Sequence, residues 1–493
     1  MTDTGPKSSL RMRLDLLWKG TGTRIERGSG TIDLVFFLIA TKVYDRINKN
    51  DFYEKNLKSL EKRIYMSILL KNGTVVDPVS RTVKEADVLV EKGKIVKIAS
   101  DIKEDADQVI DAKNQYVMPG FIDLHVHLRD PGQEYKEDIQ TGAEAAARGG
   151  VTTLLAMPNT KPVVDNPDVV DYIMNKANVL SDVNILQAGC ITKGMHGEEL
   201  ADIEEMAAHG IAAISEDGKS VMNAQIYKEG MEKAAALGIP VMAHCEDINL
   251  VHGGVMNADA CAKKLGLPGI TNSVENTIIA RDMMLAEDTG AHLHLCHCST
   301  KESVAMMEIA KKRGISVSAE VCPHHFILTS DDIVEGDTNY KMNPPLRTRE
   351  DVEALKEGLK SGIMDVISTD HAPHSAEEKH NSFVKAPFGI VGLETSASLT
   401  YTELVKTGYL TILGMAEKMS YNPAKILGSD RGVLQEGRPA DLVVFDPNEE
   451  YVIDPSKFRS KGHNTPFRGR KVCGKVRITI VNGEVVYDAA REQ

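Results

Sequence analysis

The stretch 117–132, V-M-P-G-F-I-D-L-H-V-H-L-R-D-P-G, constrains this chain more than any other. Met118-Pro119-Gly120 is a turn signal. Residues 121–128 are an apolar run with polar residues inserted, the pattern of a buried strand. His125 and His127 stand two apart in that run. Residues two apart on a strand project from one face, so both imidazoles point the same way and can grip one metal ion. H-x-H arises by chance in a chain with 15 His. What sharpens this pair is its place at the end of a buried strand, directly before Arg129-Asp130-Pro131-Gly132.

A strand-then-helix alternation runs on from there. The strand candidates are 121–128, 151–157, 183–191, 211–215, 240–244, 292–297, 315–321 and 365–369. Helical patterns separate them at 141–148, 168–177, 198–209, 226–237, 275–288, 301–313 and 351–360. Several end in Gly, as a helix C-terminus should: Gly149, Gly210, Gly238, Gly290, Gly314 and Gly362. This alternation over about 250 residues or more predicts an α/β fold, a (β/α)8 TIM barrel. Hairpin patterns flank it, at 68–77 around Asn72-Gly73, at 88–98 around Lys92-Gly93 and at 478–486 around Asn482-Gly483, with a further strand at 441–446. Similar β modules at both ends predict a small β-sandwich domain built from 66–118 and 429–493, around a catalytic barrel spanning 119–428.

A barrel carries its chemistry at the C-terminal ends of its strands. Read in order, those ends give His125 and His127, Asn159 in M-P-N-T, Asp217 in S-E-D-G, His244 in A-H-C-E-D, His297 in C-H-C-S-T and Asp370 in S-T-D-H-A-P-H. Four His and two Asp on one rim suffice for two metal ions with a carboxylate between them, and imidazole with carboxylate suits zinc best. Arg129 follows the H-x-H strand and offers a bidentate fork for a carboxylate. Other candidates are weaker. His292 and His294 open their strand and read as structural. If His297 points inward, alternation turns Cys296 and Cys298 outward against the helices. His324 and His325 are expected to support the pocket, and Glu246 and Asp247 to back the ligands.

A net charge of −13 argues against nucleic acid as a partner. Seven scattered cysteines, an odd number, read as reduced thiols of a cytoplasmic protein. The apolar run 34–40 is too short to span a bilayer and too deep for a signal peptide, so no membrane is expected. Residues 1–65 stand apart. They hold 13 basic and 8 acidic residues against 45 and 63 in the remainder, and the only tryptophan, Trp18. They are expected to form a poorly ordered extension.

At this point the motifs match a family. G-F-I-D-L-H-V-H-L-R-D-P-G, A-M-P-N-T-K-P, Y-K-M-N-P-P-L-R, and D-H-A-P-H with E-E-K following lie in a region from Met66 onward that resembles the bacterial class I dihydroorotases of the amidohydrolase superfamily. The resemblance implies a hydrolase that reversibly cyclises N-carbamoyl-L-aspartate to L-dihydroorotate in pyrimidine biosynthesis. It implies that His125 and His127 hold one zinc and that His244 and His297 hold another. Asp217 and a hydroxide would bridge the two, and Asp370 would be both a ligand and the catalytic acid/base. His127, Arg129, Asn159, Asn343, His374 and the Phe388-Gly389 backbone would meet the substrate. A homodimer, with room for association with aspartate transcarbamoylase, is also implied. Residues 374–389 read as a loop that closes over substrate. The rival readings are a dihydropyrimidinase, hydantoinase or allantoinase, expected to carry a bridging carboxylated lysine where this chain has Asp217, and a non-catalytic homologue that scaffolds aspartate transcarbamoylase, which lost ligands would betray.

The charge shift and the onset of the strand pattern at Met66 lead to the expectation that residues 1–65 are dispensable. A chain beginning at Met66 should fold and turn over normally. Insolubility or loss of turnover of the shortened chain would show that the extension is needed.

Overall fold

Eight short apolar runs become eight parallel strands: β1 (Phe121–Val126), β2 (Val151–Ala156), β3 (Asn184–Cys190), β4 (Ala213–Ser215), β5 (Val241–Ala243), β6 (Leu293–Leu295), β7 (Val317–Val321) and β8 (Val366–Ile367). They pair in chain order into one sheet. The computed structural model describes residues 66–492, so the expectation for residues 1–65 lies outside the described residues. The helices between the strands include Ile139–Arg148, Pro167–Leu180, Ala224–Leu237, Ser273–Thr289, Lys301–Arg313 and Arg349–Ser361. Ala224–Leu237, Ser273–Thr289, Lys301–Arg313 and Arg349–Ser361 close on Gly238, Gly290, Gly314 and Gly362 in the left-handed conformation, as their sequence predicts. Gly149 differs. It stays right-handed, and the positive φ falls on Gly150.

Two apolar layers hold the barrel. Outward side chains of the strands, such as Leu154, Leu293 and Leu295, pack against the helices. Inward ones, among them Ile122, Leu124, Leu155, Ala188 and Met242, fill the interior. This is the packed barrel core the fold requires. Among the described residues no helix is long and apolar enough to cross a membrane.

Closure between β1 and β8 uses few ladder bonds, because β8 spans only Val366–Ile367. Side chains and the segment after β8 complete it. Asp123 Oδ1 accepts from the amides of His125 (3.1 Å) and Thr369 (3.2 Å), and Leu124 N–H donates to Ser368 Oγ at 3.1 Å. His127 N–H donates to His371 O at 2.9 Å, and His371 N–H to His125 O at 3.3 Å. Residues on either side of Asp370 are thereby stitched to the H-x-H strand.

Strands from both ends of the described chain make a second eight-stranded sheet. Tyr116–Pro119 pairs antiparallel with Leu442–Val452, which bridges the early strands to the late ones. Lys92-Gly93 and Asn482-Gly483 do form tight turns, with positive φ at both residues of each. Asn72-Gly73 does not. Ile68–Asp77 is one continuous strand with a bulge there. Asn72 takes φ 60° while its amide donates to Asp87 Oδ1 at 2.9 Å, so the left-handed residue bends one strand where a hairpin was expected. Buried Asp441 accepts from Asn482 N–H (2.7 Å) and Asn184 Nδ2 (3.0 Å), tying this sheet to the start of β3.

Candidate metal centre

The strand ends bring four imidazoles and two carboxylates together at the mouth of the barrel, all buried. His125 Nε2 stands 3.2 Å from Asp217 Oδ1 and 3.6 Å from Asp370 Oδ1. His127 Nε2 lies 3.1 Å from Asp370 Oδ1 and 3.4 Å from Asp217 Oδ2. On the other side of Asp217, His244 Nδ1 and His297 Nε2 approach Oδ1 to 3.2 and 3.7 Å and each other to 2.8 Å. Asp217 is thus common to both pairs of imidazoles.

The far nitrogen of three of these rings is tied to an acceptor. His125 Nδ1 faces Glu320 Oε1 at 2.8 Å, His127 Nδ1 faces Asn159 Oδ1 at 2.9 Å, and His244 Nε2 faces Glu246 Oε2 at 2.9 Å. Carboxylate and amide oxygens only accept, so each of these nitrogens carries the proton and the other keeps its lone pair for the centre. His125 Nε2 and Asp217 Oδ1, facing one another, have no hydrogen-bond partner despite full burial. A bound cation would satisfy both of these otherwise unpartnered atoms. The donor set fits a divalent cation with imidazole and carboxylate ligands.

The electrostatics agree. Burial pushes the Asp217 carboxyl up, yet His125, His244 and His297 more than offset that and hold it well below the usual range. Asp370 is likewise held low, burial being outweighed by His125 and His127. Burial opposes charge on His244, but Asp217 and Glu246 carry it up to about 10. The carboxylates therefore attract positive charge into a site that burial would otherwise keep neutral. Arg129, His297 and Asp370 adopt φ of 59°, 34° and 47°. A non-glycine residue held there costs about 1–3 kcal/mol, strain that collects at functional sites.

The sequence named Arg129, Asn159, Asn343, His374 and Phe388-Gly389 as substrate contacts, and the structure distinguishes among them. Arg129 donates only to Pro373 O, at 3.4 Å, and no carboxylate lies within 4.0 Å of its guanidinium among the described residues. Asn159 is occupied between His127 and Asp217 Oδ2 (3.4 Å), and Asn343 Nδ2 donates to Glu246 Oε2. His374 Nε2 donates to Phe388 O at 2.8 Å. Burial, with Arg129, Lys136 and Lys379 nearby, pushes His374 down to about 3, so it is a neutral donor to the loop and not a second cation. Lys219 turns away, its Nζ donating to Met195 O at 3.1 Å.

Two expectations need correcting or completing. Cys298 packs outward as predicted, but Cys296 faces the barrel interior beside His125 and Glu320. β6 ends at Leu295 and His297 turns left-handed, so strict alternation does not reach Cys296–Cys298. Glu320 escaped the sequence reading altogether. Its signal was a lone carboxylate inside the apolar run V-S-A-E-V. Its Oε1 also accepts from His297 N–H at 3.1 Å and its Oε2 meets His294 Nε2 at 3.1 Å. His294 and His292 continue through Ser318 as a hydrogen-bonded column below the site. His325 Nε2 donates to Pro344 O at 2.9 Å, whereas His324 Nε2 has no partner.

Comparison with known proteins places this geometry. A Dihydro-orotase-like family model matches residues 114–303 and an Amidohydrolase family model matches residues 231–487. The chain is 49% identical over 419 residues to a dihydroorotase of Acetivibrio thermocellus, covering 85% of this chain and 98% of that one. It is 46% identical over 423 residues to a dihydroorotase of Clostridioides difficile, covering 86% and 100%. Among solved structures, L-hydantoinase (dihydropyrimidinase) from Arthrobacter aurescens superimposes with a TM-score of 0.77 at 28% identity, covering 86% of this chain and 96% of that one. D-hydantoinase (dihydropyrimidinase) from Thermus sp. gives 0.74 at 27%, covering 86% and 96%.

Glu320 touches one ring of the first imidazole pair and the backbone of the second. Glu320→Gln should therefore weaken metal binding about 10–100-fold, the usual effect of losing a group that orients ligands. Equilibrium dialysis against a chelator measures it. An unchanged affinity would show that Glu320 does not set the ligands.

Proposed function

The chain belongs to the dihydroorotase family of amidohydrolases, and we infer from that membership how its residues divide the work. It is a cyclic amide hydrolase that interconverts N-carbamoyl-L-aspartate and L-dihydroorotate in pyrimidine biosynthesis. The observation that carries the site assignment is the meeting of Asp370 with both imidazole nitrogens of the H-x-H strand, next to a guanidinium that no carboxylate has claimed.

His125, His127, His244, His297, Asp217 and Asp370 are the residues that would hold two zinc ions, with Asp217 between them. Metal bound there lowers the pKa of a water from about 15.7 to about 7 and polarises the amide carbonyl. Asp370, kept ionised by the neighbouring imidazoles, is the base. In ring opening it takes a proton from the attacking water and returns it to the ring nitrogen as the C–N bond breaks. Ring closure reverses the transfer. Arg129 offers its fork to the substrate carboxylate. Asn159 reaches the substrate by way of His127, whose ring it orients. Asn343 and the Phe388-Gly389 backbone border the ring amide. The hydantoinase and dihydropyrimidinase structures share the scaffold, but a ring without a carboxylate would leave the half-buried Arg129 guanidinium with no carboxylate to pair with, and Lys219 stays outside the ligand cluster. Homodimerisation and association with aspartate transcarbamoylase belong to the same family reading; sedimentation of the enzyme alone and mixed with that partner tests them.

Metal analysis should find near two zinc per chain, and His244→Ala should lose one. Full activity with a single tightly bound metal would contradict the bridged arrangement. Asp370→Ala should lower turnover by at least the 10²–10⁴-fold typical of a general acid–base group; activity within about threefold of wild type would sink that role. Losing one partner of a buried charge pair costs on the order of 2–5 kcal/mol. Arg129→Met should accordingly lower kcat/KM for dihydroorotate roughly 30-fold or more at constant metal content. If wild type opens dihydrouracil as readily as dihydroorotate, Arg129 is not the selector.

A further inference from the structure

Three carbonyl oxygens converge on one ammonium beside the pocket. Lys379 ends the short helix Ala376–Lys379 and is buried. Its Nζ stands 3.2 Å from Lys341 O, 3.1 Å from Pro387 O and 3.0 Å from Gly389 O. An ammonium has three donors and no acceptor, so these oxygens take its full capacity, whereas a neutral amine has only two donors to share among the three. Asp337 and Glu378 favour its charge from a distance and the Lys341 ammonium opposes it.

Every one of those carbonyls lies in a segment assigned above to the substrate. Lys341 precedes Asn343 by two residues, and Pro387 and Gly389 bracket Phe388. The two segments also meet directly, through Gly389 N–H donating to Lys341 O at 3.0 Å. Gly389 sits at φ +133°, where an added Cβ would come within 2.8 Å of Ala372 O. In a trans peptide the C=O and N–H point in opposite directions. With the Pro387 carbonyl drawn to Lys379, the Phe388 N–H faces away from it. The Phe388 carbonyl is taken by His374. Asn464 reinforces the clamp from the C-terminal part of the chain. Its Nδ2 donates to Gly389 O (2.9 Å) and Ala372 O (3.1 Å), and its Oδ1 accepts from His374 N–H at 3.0 Å.

We propose that Lys379 is a positioning residue for substrate binding, its ammonium fastening the Asn343 and Phe388–Gly389 segments in the geometry that meets the substrate. The proposal rests on the reading of those segments as substrate contacts. Lys379 itself touches no reacting atom. Its loss therefore removes binding that is equal in ground and transition states, which raises KM and largely spares kcat. Burial pushes the amine down to about 7, so the third donor is present below that pH and lost as pH rises through it.

The test is steady-state ring opening by the metal-loaded full chain carrying Lys379→Met or Lys379→Gln. Lys379→Met should raise KM for dihydroorotate about tenfold with kcat within about threefold and unchanged metal content, and Lys379→Gln, which keeps two donors, should fall between. Wild-type KM should climb between about pH 6 and 9 while the Lys379→Met profile lacks that climb. A KM and pH profile unchanged in both variants would overturn the proposal. Gly389→Ala separates the two levels. If it raises KM while the Lys379 variants do not, the segment binds substrate and Lys379 is not its clamp. If none of the three moves KM, the substrate reading of the segment falls and the clamp falls with it.

Discussion

The meeting of β1 with β8 is what the rest of the site depends on. A barrel must close, and here the closing strand is too short to do so by its own ladder. Asp123, Ser368 and the two exchanged bonds between His125, His127 and His371 complete the circuit. The same residues belong to or adjoin the candidate metal centre. Closing the cylinder and bringing His125 and His127 to Asp370 are one event, so the geometry at the mouth inherits the rigidity of the fold. Function placed on strand ends gains precision that a free loop would lack.

The second constraint is electrostatic. Buried imidazoles and carboxylates without water are costly unless paired. The chain meets this with a ring of acceptors behind the ligands. Glu320, Glu246 and Asn159 each fix one ring, and Asp217 sits among the free nitrogens. Without a cation the same groups draw protons, as the raised His125 and His244 show. A cation held there would compete with protons for the same lone pairs, which would couple its affinity to acidity. Directly beneath, His294, Ser318 and His292 replace part of the apolar floor with a satisfied polar column. The lining of the barrel is thus hydrogen-bonded in register where it supports ligands and apolar elsewhere.

Much of this was legible in the chain, for identifiable reasons. Barrel strands buried on both faces read as apolar runs, and helix ends in left-handed Gly are visible as letters. That is why all eight strands, and the histidines and aspartates that gather at their ends, could be located. What stayed hidden depended on context. Asn-Gly supplies a positive φ whether the chain reverses, as at Asn482-Gly483, or only kinks, as at Asn72-Gly73. The partner strand decides between the two, and it is distant in sequence. Cys296 was misplaced because alternation holds only as far as the strand does. Glu320 is a lone carboxylate inside a strand, and nothing in its own stretch of sequence tells that its partners are His125, His294 and His297. Asn464 and Lys379 could not be ranked at all, since each ties together segments far apart in sequence, His374 lying 90 residues from Asn464 and Lys341 38 residues from Lys379. Asn343 and His374 were named by motif, but no motif shows that Glu246 and Phe388 O hold them.

The antiparallel pairing of Tyr116–Pro119 with Leu442–Val452 also has a meaning in time. On the ribosome the first of these strands emerges about 320 residues before its partner exists. At synthesis rates of roughly 5–20 residues per second, that is on the order of a quarter of a minute to a minute. Throughout that interval Val117 and Met118, both wholly buried in the finished protein, form part of an open, sticky edge. Asn464, which clamps the pocket, comes later still. The nascent chain can thus assemble a nearly complete barrel while it still lacks both the strand that pairs with Tyr116–Pro119 and the Asn464 side chain that ties Gly389 to Ala372.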